Sequence, residues 1–297
     1  MHTKGTVRGV WSLGPEACSL KPVLVTPVLA AATIVTGAVA GLLGAMLGIG
    51  GGVFLVPFLV LVVGLPFKAA AGVSLAAVIA TSSSVSATTA GRHLINLRLG
   101  MALEVATAAG GLAGGLTAQW LAPRTLELMF GVIATIVAAS VLQSSGKEEK
   151  RSDCEDVGTL GGRYTDPTTG LVHCYRVIRL PVALTTSFIA GNVSTLLGLG
   201  GVIIKVPVLA TLCGVPMRVA AATSAFMIGV TATSGALIYY GHGDLAPTLA
   251  AAAIIGTQAG SGVGLRLGAR AETAWLRRLL AGVLGFVAAM MLIRALR

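Results

Sequence analysis

The residue in this chain best placed to do chemistry is a lysine set in an apolar run, read as an anion's counter-charge, or else as a side chain that snorkels to an interface. Lys205 stands in "GLGGVIIKVP", residues 198–207, six positions after Leu199. An ammonium at mid-membrane costs about 2.5–3.5 kcal/mol, so it needs a counter-charge or a wet cavity. The glycines ahead of it (Gly198, Gly200, Gly201) have an earlier counterpart in Gly48, Gly50, Gly51 and Gly52 of "GIGGGVFLVP". Glycine clusters before a helix suit two kinds of anion chemistry: a nucleotide-phosphate loop, or a helix break with free backbone N–H groups. A phosphate loop needs a lysine and then serine or threonine after its last glycine, and neither cluster has them. Hydroxyl-rich stretches follow each cluster: Ser74, Thr81, Ser82, Ser83 and Ser84, then Thr223, Ser224, Thr231, Thr233 and Ser234. Their hydroxyls can solvate an anion that has shed water, or join helix to helix. Ser74 and Ser224, then Thr81 and Thr231, lead as ligands because they occupy equivalent positions.

The elements that carry these residues are membrane helices. Of the 297 residues, 55% are apolar and 11% charged, with a mean hydropathy of +0.89; soluble domains average about 25% charged. Ten apolar segments run at 24–47, 52–64, 68–91, 99–121, 125–143, 180–197, 202–213, 218–240, 245–266 and 273–294. Most reach the roughly 20 residues that span a bilayer core. The segments 52–64 and 202–213 do not, giving helices of only about 18 Å, and each follows a glycine cluster. The net charge of +10 comes from outside the stretch 146–179, which holds six bases and six acids. Bases lying between apolar runs are membrane-loop bases. With no basic stripe and aromatic partners, the charge does not indicate nucleic acid.

The chain falls on itself when shifted by 150. Residues 41–92 and 191–242 share 16 identities in 52 ungapped positions, among them Gly50/Gly200, Pro57/Pro207, Gly64/Gly214, Pro66/Pro216 and Ser74/Ser224. Gly110/Gly260, Gly114/Gly264 and Leu126/Leu276 continue the offset. This is an internal repeat, which also argues against reading the first segment as a signal peptide. It divides the chain into a tail (1–23), a first transmembrane repeat (24–145), a soluble loop (146–179) and a second repeat (180–297). Two halves with a glycine-interrupted segment at the same place point to a secondary transporter's binding site. A helix opening at such a break presents free N–H groups and about half a positive charge. Two such ends facing each other make an anion site. The expected fold is an all-α polytopic membrane protein with two homologous halves, inverted relative to each other, each containing a short broken or re-entrant helix.

At these motifs the sequence closely resembles the sulfite exporter TauE/SafE family of membrane permeases. The resemblance rests on "GIGGGVFLVP" with "GLPFKAAAGVS", and on "GLGGVIIKVP" with "GVPMRVAAATSAFMIGVTATSGALIYYGHGDL". It covers the chain apart from the first twenty residues and the 146–178 insert. It implies a plasma-membrane transporter of small sulfur-containing anions, such as sulfite, thiosulfate or organosulfonates, without a cofactor. A proton or other ion is a candidate coupling partner. One departure stands out: Val202 occupies the place of Gly52, so the two breaks are unequal.

The remaining polar residues give weaker signals. Glu104, in the opening turn of 99–121, reads as a helix N-terminal acid or a partner of Arg98, and secondarily as a proton carrier. Asn96, Arg98, His242 and Asp244 lie in matching loops and read as gate or interface residues. Loop charges suggest that inversion gathers 92–98, 146–179 and 266–278 on the cytosolic side, with Cys154 and Cys174 reduced around a turn-rich hairpin. His173 beside Cys174 falls far short of a metal-ligand set. A membrane enzyme is the rival class, but no G-x-S-x-G, H-E-x-x-H or intramembrane acidic pair supports it. A sensor or scaffold built on the 146–179 loop has less support still, because that loop is too short for an output domain.

Overall fold

The computed structural model describes residues 27–47, 50–90, 95–143, 160–165, 172–200, 205–206, 208–209, 213–268 and 273–296. The helices are α1 (Pro27–Leu47), α2 (Gly52–Leu61), α3 (Phe67–Ala90), α4 (Leu97–Trp120), α5 (Pro123–Gln143), α6 (Leu180–Leu197), α7 (Met217–Gly241), α8 (Pro247–Gly268) and α9 (Thr273–Leu296). Between α6 and α7, Lys205, Val206, Val208 and Leu209 are helical and form the second short helix. Strands β1 (Gly162–Thr165) and β2 (Val172–Tyr175) pair antiparallel in the inter-repeat loop, with Gly162 opposite Tyr175. Six of the described helices are long and apolar enough to cross a membrane: α1, α3, α4, α6, α7 and α8.

Local chemistry explains where the elements stop. Asn96 caps α4, its side-chain oxygen accepting from the Leu99 N–H at 3.0 Å, which satisfies one of the helix's orphan donors. Helix α6 ends at Gly198, whose left-handed backbone (φ 71°) turns its N–H onto the Ser194 and Thr195 carbonyls. Gly51 opens α2, and its carbonyl takes the Phe54 and Leu55 N–H groups.

Packing follows the 150-residue offset. A Cβ on Gly260 would strike the Ala38 backbone between α8 and α1; one on Gly110 would strike Phe188 between α4 and α6. Gly264 against Leu42 matches Gly114 against Asn192, and Gly41 against Thr257 matches Gly191 against Thr107. Small residues at these crossings let helix backbones touch, which is how helices associate where lipid removes the hydrophobic drive. Helix α3 occupies the centre, with Ala70, Ala71, Val73, Leu75, Ala77 and Val78 fully buried. Val35, Val105, Ile136, Ile255 and Phe286 are exposed on the outside, the side that lipid tails would cover.

Equivalent helices pair head to tail. Along α3 and α7, Gly72 lies beside Tyr239, whereas ten residues later Ser82 donates to the Ala225 carbonyl at 2.8 Å. Along α5 and α9, Arg124 donates to the Ala295 carbonyl, Glu127 pairs with Arg294 at 3.7 Å, and Gly131 faces Ala288 and Leu292. As one number rises the other falls, so each pair is antiparallel. By contrast, α1 with α8 and α4 with α6 run parallel.

Candidate functional site

The two glycine breaks meet. A Cβ placed on Gly52 would lie 2.5 Å from the Gly198 carbonyl oxygen. Ser74 straddles the junction, its hydroxyl directed at the Gly198 carbonyl (2.8 Å) and the Gly52 carbonyl (3.2 Å). Gly50 (φ +79°) and Gly200 (φ +81°) occupy the same left-handed conformation at equivalent positions. Both face Val78: it is the nearest neighbour of Gly50, and with Ile228 it closes in on Gly200. Val78 and Ile228 are themselves 150 residues apart. An apolar pair related by the repeat therefore stands between the two breaks. A narrow cleft beside it is lined by Gly50, Val78, Thr81, Ser82, Val85, Ala225 and Ile228.

The polar groups around this junction differ sharply in how they are satisfied. Thr81 turns its hydroxyl onto its own helix, toward Ala77 and Val78. Thr231, its repeat equivalent, reaches Glu104 Oε1 at 3.0 Å as well as its own helix at Met227. Ser74 is engaged at the breaks, whereas Ser224 Oγ is buried without a hydrogen-bond partner. A hydroxyl without a partner at such a place costs about 1–3 kcal/mol, so Ser224 is the one of the pair with capacity to spare for a ligand.

Lys205 lies four residues after Gly201 and is 2% exposed, so its ammonium does not snorkel to an interface. Its Nζ has no hydrogen-bond partner. Glu104 is the carboxylate whose charge it senses, and Glu104 Oε2 is likewise buried and unpartnered. This corrects the reading of Glu104 as a helix-end acid or a partner of Arg98: Glu104 faces inward, onto Thr231 and toward Lys205, while Arg98 is exposed. The reason is position on the helix. Glu104 sits two turns into α4, on the stripe where Gly100 and Gly111 admit α7 to close contact. Ser194 Oγ and Thr195 Oγ1 are two further unpartnered buried hydroxyls, and Thr195 approaches Gly111 together with Ser234.

Sequence reasoning therefore brought Gly50, Gly52, Gly198, Gly200, Ser74, Thr81, Thr231, Ser224 and Lys205 to notice, and missed Val78, Ile228, Ser194 and Thr195. Val78 and Ile228 could have been found, since the offset that pairs the glycines pairs them too. Gly48 and Gly201 lie outside the described residues, and Gly51 is the cap of α2.

Beyond the membrane segments, Asn96 holds three elements together. Its backbone N–H donates to Thr223 Oγ1 at 3.0 Å, and its amide donates to the Leu160 carbonyl and to the Tyr175 hydroxyl at 2.9 and 2.8 Å. Asn96 is thus an interface residue between α4, α7 and the β-hairpin. Burial raises the Tyr175 phenol above its ordinary pKa, an effect the Asn96 bond partly offsets. His242 and Asp244 close the far end of α7, where the Asp244 N–H bonds the Tyr239 carbonyl. In the hairpin Cys174 is buried and disulfide-bonded, correcting the expectation of a reduced thiol, and Cys213 is free. Cys174 sits inside β2 opposite Arg163, where strand pairing fixes its position for cross-linking. Its partner sulfur, like Cys154, lies outside the described residues.

Known proteins resemble the chain at this level. The family model described as "Sulfite exporter TauE/SafE" matches residues 33–291, which contain both breaks, Lys205 and Glu104. The "Probable membrane transporter protein YunE" of Bacillus subtilis (strain 168) is 23% identical over 248 residues, covering 81% of this chain and 89% of that protein. No solved structure matches.

Proposed function

The chain belongs to the sulfite exporter TauE/SafE family of multi-pass membrane transporters, and from that premise we propose that it is a permease for a small sulfur-containing anion. Sulfite, thiosulfate and organosulfonates are the candidates. One observation carries the reading: an ammonium without a hydrogen-bond partner is buried beside two helix breaks that touch. The start of α2 supplies N–H groups without intrahelical acceptors and the positive end of a dipole. Lys205 supplies a full charge, and the unpartnered Ser224 hydroxyl a hydrogen bond. The Ser74 hydroxyl engages the Gly198 and Gly52 carbonyl oxygens at the junction, which lessens their repulsion of an arriving anion. Val78 and Ile228 act as the apolar closure that must part for the anion to pass.

Alternating access then needs two halves of opposite orientation. We propose that residues 24–145 and 180–297 are such inverted repeats in the bilayer of the plasma membrane. The antiparallel pairing of α3 with α7 and of α5 with α9 supports this, because parallel repeats would pair equivalent helices in the same direction. The two short helices then enter from opposite faces and end near mid-membrane.

Two measurements test these statements. Purified protein in liposomes is expected to exchange radiolabelled sulfite, thiosulfate or methanesulfonate at a rate that saturates with concentration. Flux at the level of empty liposomes for all three would overturn the permease reading. For the inversion, cysteines placed at Arg98 and Arg266 are expected to react with impermeant maleimide from one side, and a cysteine at Asp244 from the other. Labelling of all three from one face would refute it.

A further inference from the structure

The charged groups near the breaks exist once per chain, although the fold repeats. The equivalents of Lys205 and Glu104 in the opposite half are Leu55 and Ile254, and the equivalents of Ser194 and Thr195 are Gly44 and Ala45. A simple duplicated anion site would carry the same charges twice or not at all. Here one side of the junction holds a buried cation and a half-buried carboxylate, each with a shielded polar atom that has no hydrogen-bond partner. The other side is apolar.

We propose that Glu104 is the group through which this permease couples anion movement to a proton, with Lys205 as the charge that both share. This rests on the reading of Lys205 as the anion's counter-charge. In the empty site the Glu104 carboxylate balances the Lys205 ammonium. An entering anion takes over that role, which leaves an ionised carboxylate beside a bound anion in a desolvated space. Like charges so placed cannot both remain ionised. A proton from the side on which the anion enters is therefore taken up on Glu104 Oε2, the oxygen that Thr231 leaves free. Release of the anion on the other side restores the Lys205 attraction, and the proton leaves with it. One carboxylate per chain gives one proton per anion.

The neighbours leave this exchange to the pair. Helix α6, packed against α4, contains no titratable side chain. On α7, Arg218 lies at the start and Tyr239 and Tyr240 at the end, with the Tyr239 hydroxyl bonded to the Thr195 and Leu196 carbonyls. On α4 itself Arg98 is exposed. Among the described residues, Lys205 is the charge that acts on Glu104.

The test uses the full chain in liposomes and radiolabelled thiosulfate or methanesulfonate, anions that stay ionised throughout the pH range used. Two modes are compared: exchange at equal pH, and accumulation driven by a one-unit pH gradient. Wild type is expected to exchange and to accumulate up to about tenfold, the factor that one pH unit supplies to a one-proton carrier. Glu104→Gln, with the shape of the protonated acid, is expected to lose driven accumulation by a larger factor than it loses exchange at equal pH. Driven accumulation at the wild-type level in Glu104→Gln would overturn the proposal and leave the permease reading intact. Absence of exchange by wild type would overturn both. Should Glu104→Gln not be recovered as monodisperse protein, Glu104→Asp decides instead: its driven accumulation is expected to shift along the pH axis, and an unmoved profile would count against Glu104.

Discussion

Gly200→Val is expected to reduce anion flux to background while the protein still inserts and purifies as a monodisperse species. Gly200 has φ +81°, a left-handed conformation that costs a side-chain-bearing residue about 1–2 kcal/mol. A β-branched residue is a genuine outlier there. Space adds to the cost, because a Cβ would sit 3.2 Å from Val78 and 3.4 Å from Ile228. Relief comes only if the backbone at Gly200 rotates out of the left-handed conformation that it shares with Gly50. Gly50→Val isolates the conformational part. Its φ is +79°, but a Cβ there meets only Val78, at 3.7 Å. If backbone conformation alone matters, the two variants lose flux equally. If crowding of the Val78–Ile228 closure matters as well, Gly200→Ala is impaired more than Gly50→Ala, and that ordering is expected. Saturable thiosulfate flux at wild-type rates in both valine variants would show that the breaks serve packing and not transport.

Much of the fold was written in the sequence because membranes make a strict reader. Backbone groups in lipid must be paired within helices, so apolar length and the positions of glycine and proline placed the helices to within a few residues. The duplication was legible for a similar reason: glycines that let two backbones touch tolerate no side chain, as Gly260 on Ala38 and Gly110 on Phe188 illustrate. Lys205 announced itself through the cost of burying a charge. What stayed hidden depends on which face of a helix meets which neighbour. Glu104 near an α4 terminus looks like a solvated acid until α7 is docked and Thr231 arrives opposite it. Ser74 and Ser224 look interchangeable in the repeat, yet one is held by two carbonyls and the other by none. The state of Cys174 was also out of reach, since loop charge suggested a reducing side and the bonded sulfur in β2 does not follow it.

Lys205→Met separates charge from geometry as the basis of anion recognition. The apolar equivalent at Leu55, itself fully buried, shows that this position in the short helix accepts an aliphatic side chain. Methionine matches the lysine stem in reach and flexibility, and it removes an ammonium that has no hydrogen-bond partner. The variant leaves Glu104 without its counter-charge, a loss that destabilises a buried pair unless the carboxylate takes up a proton, so recovery of monodisperse protein is checked before its flux is read. A hydrogen bond to a charged group contributes about 1.5–3 kcal/mol, so the half-saturation concentration for thiosulfate is expected to rise from about tenfold to more than a hundredfold. Lys205→Arg should recover only part of this, because a planar fork on a longer stem cannot occupy the same point. Leu55→Lys added to Lys205→Met should recover none. At the opposite break the carboxylate is replaced by Ile254 and the hydroxyls of Ser194 and Thr195 by Gly44 and Ala45, so a lysine there has neither a counter-charge nor hydrogen-bonding neighbours. An unchanged half-saturation concentration in Lys205→Met would take the ammonium out of the site and leave the helix ends as the anion's ligands. Rescue by Leu55→Lys would instead show that the two breaks are equivalent, and that the charge could have evolved on either side of the Val78–Ile228 closure.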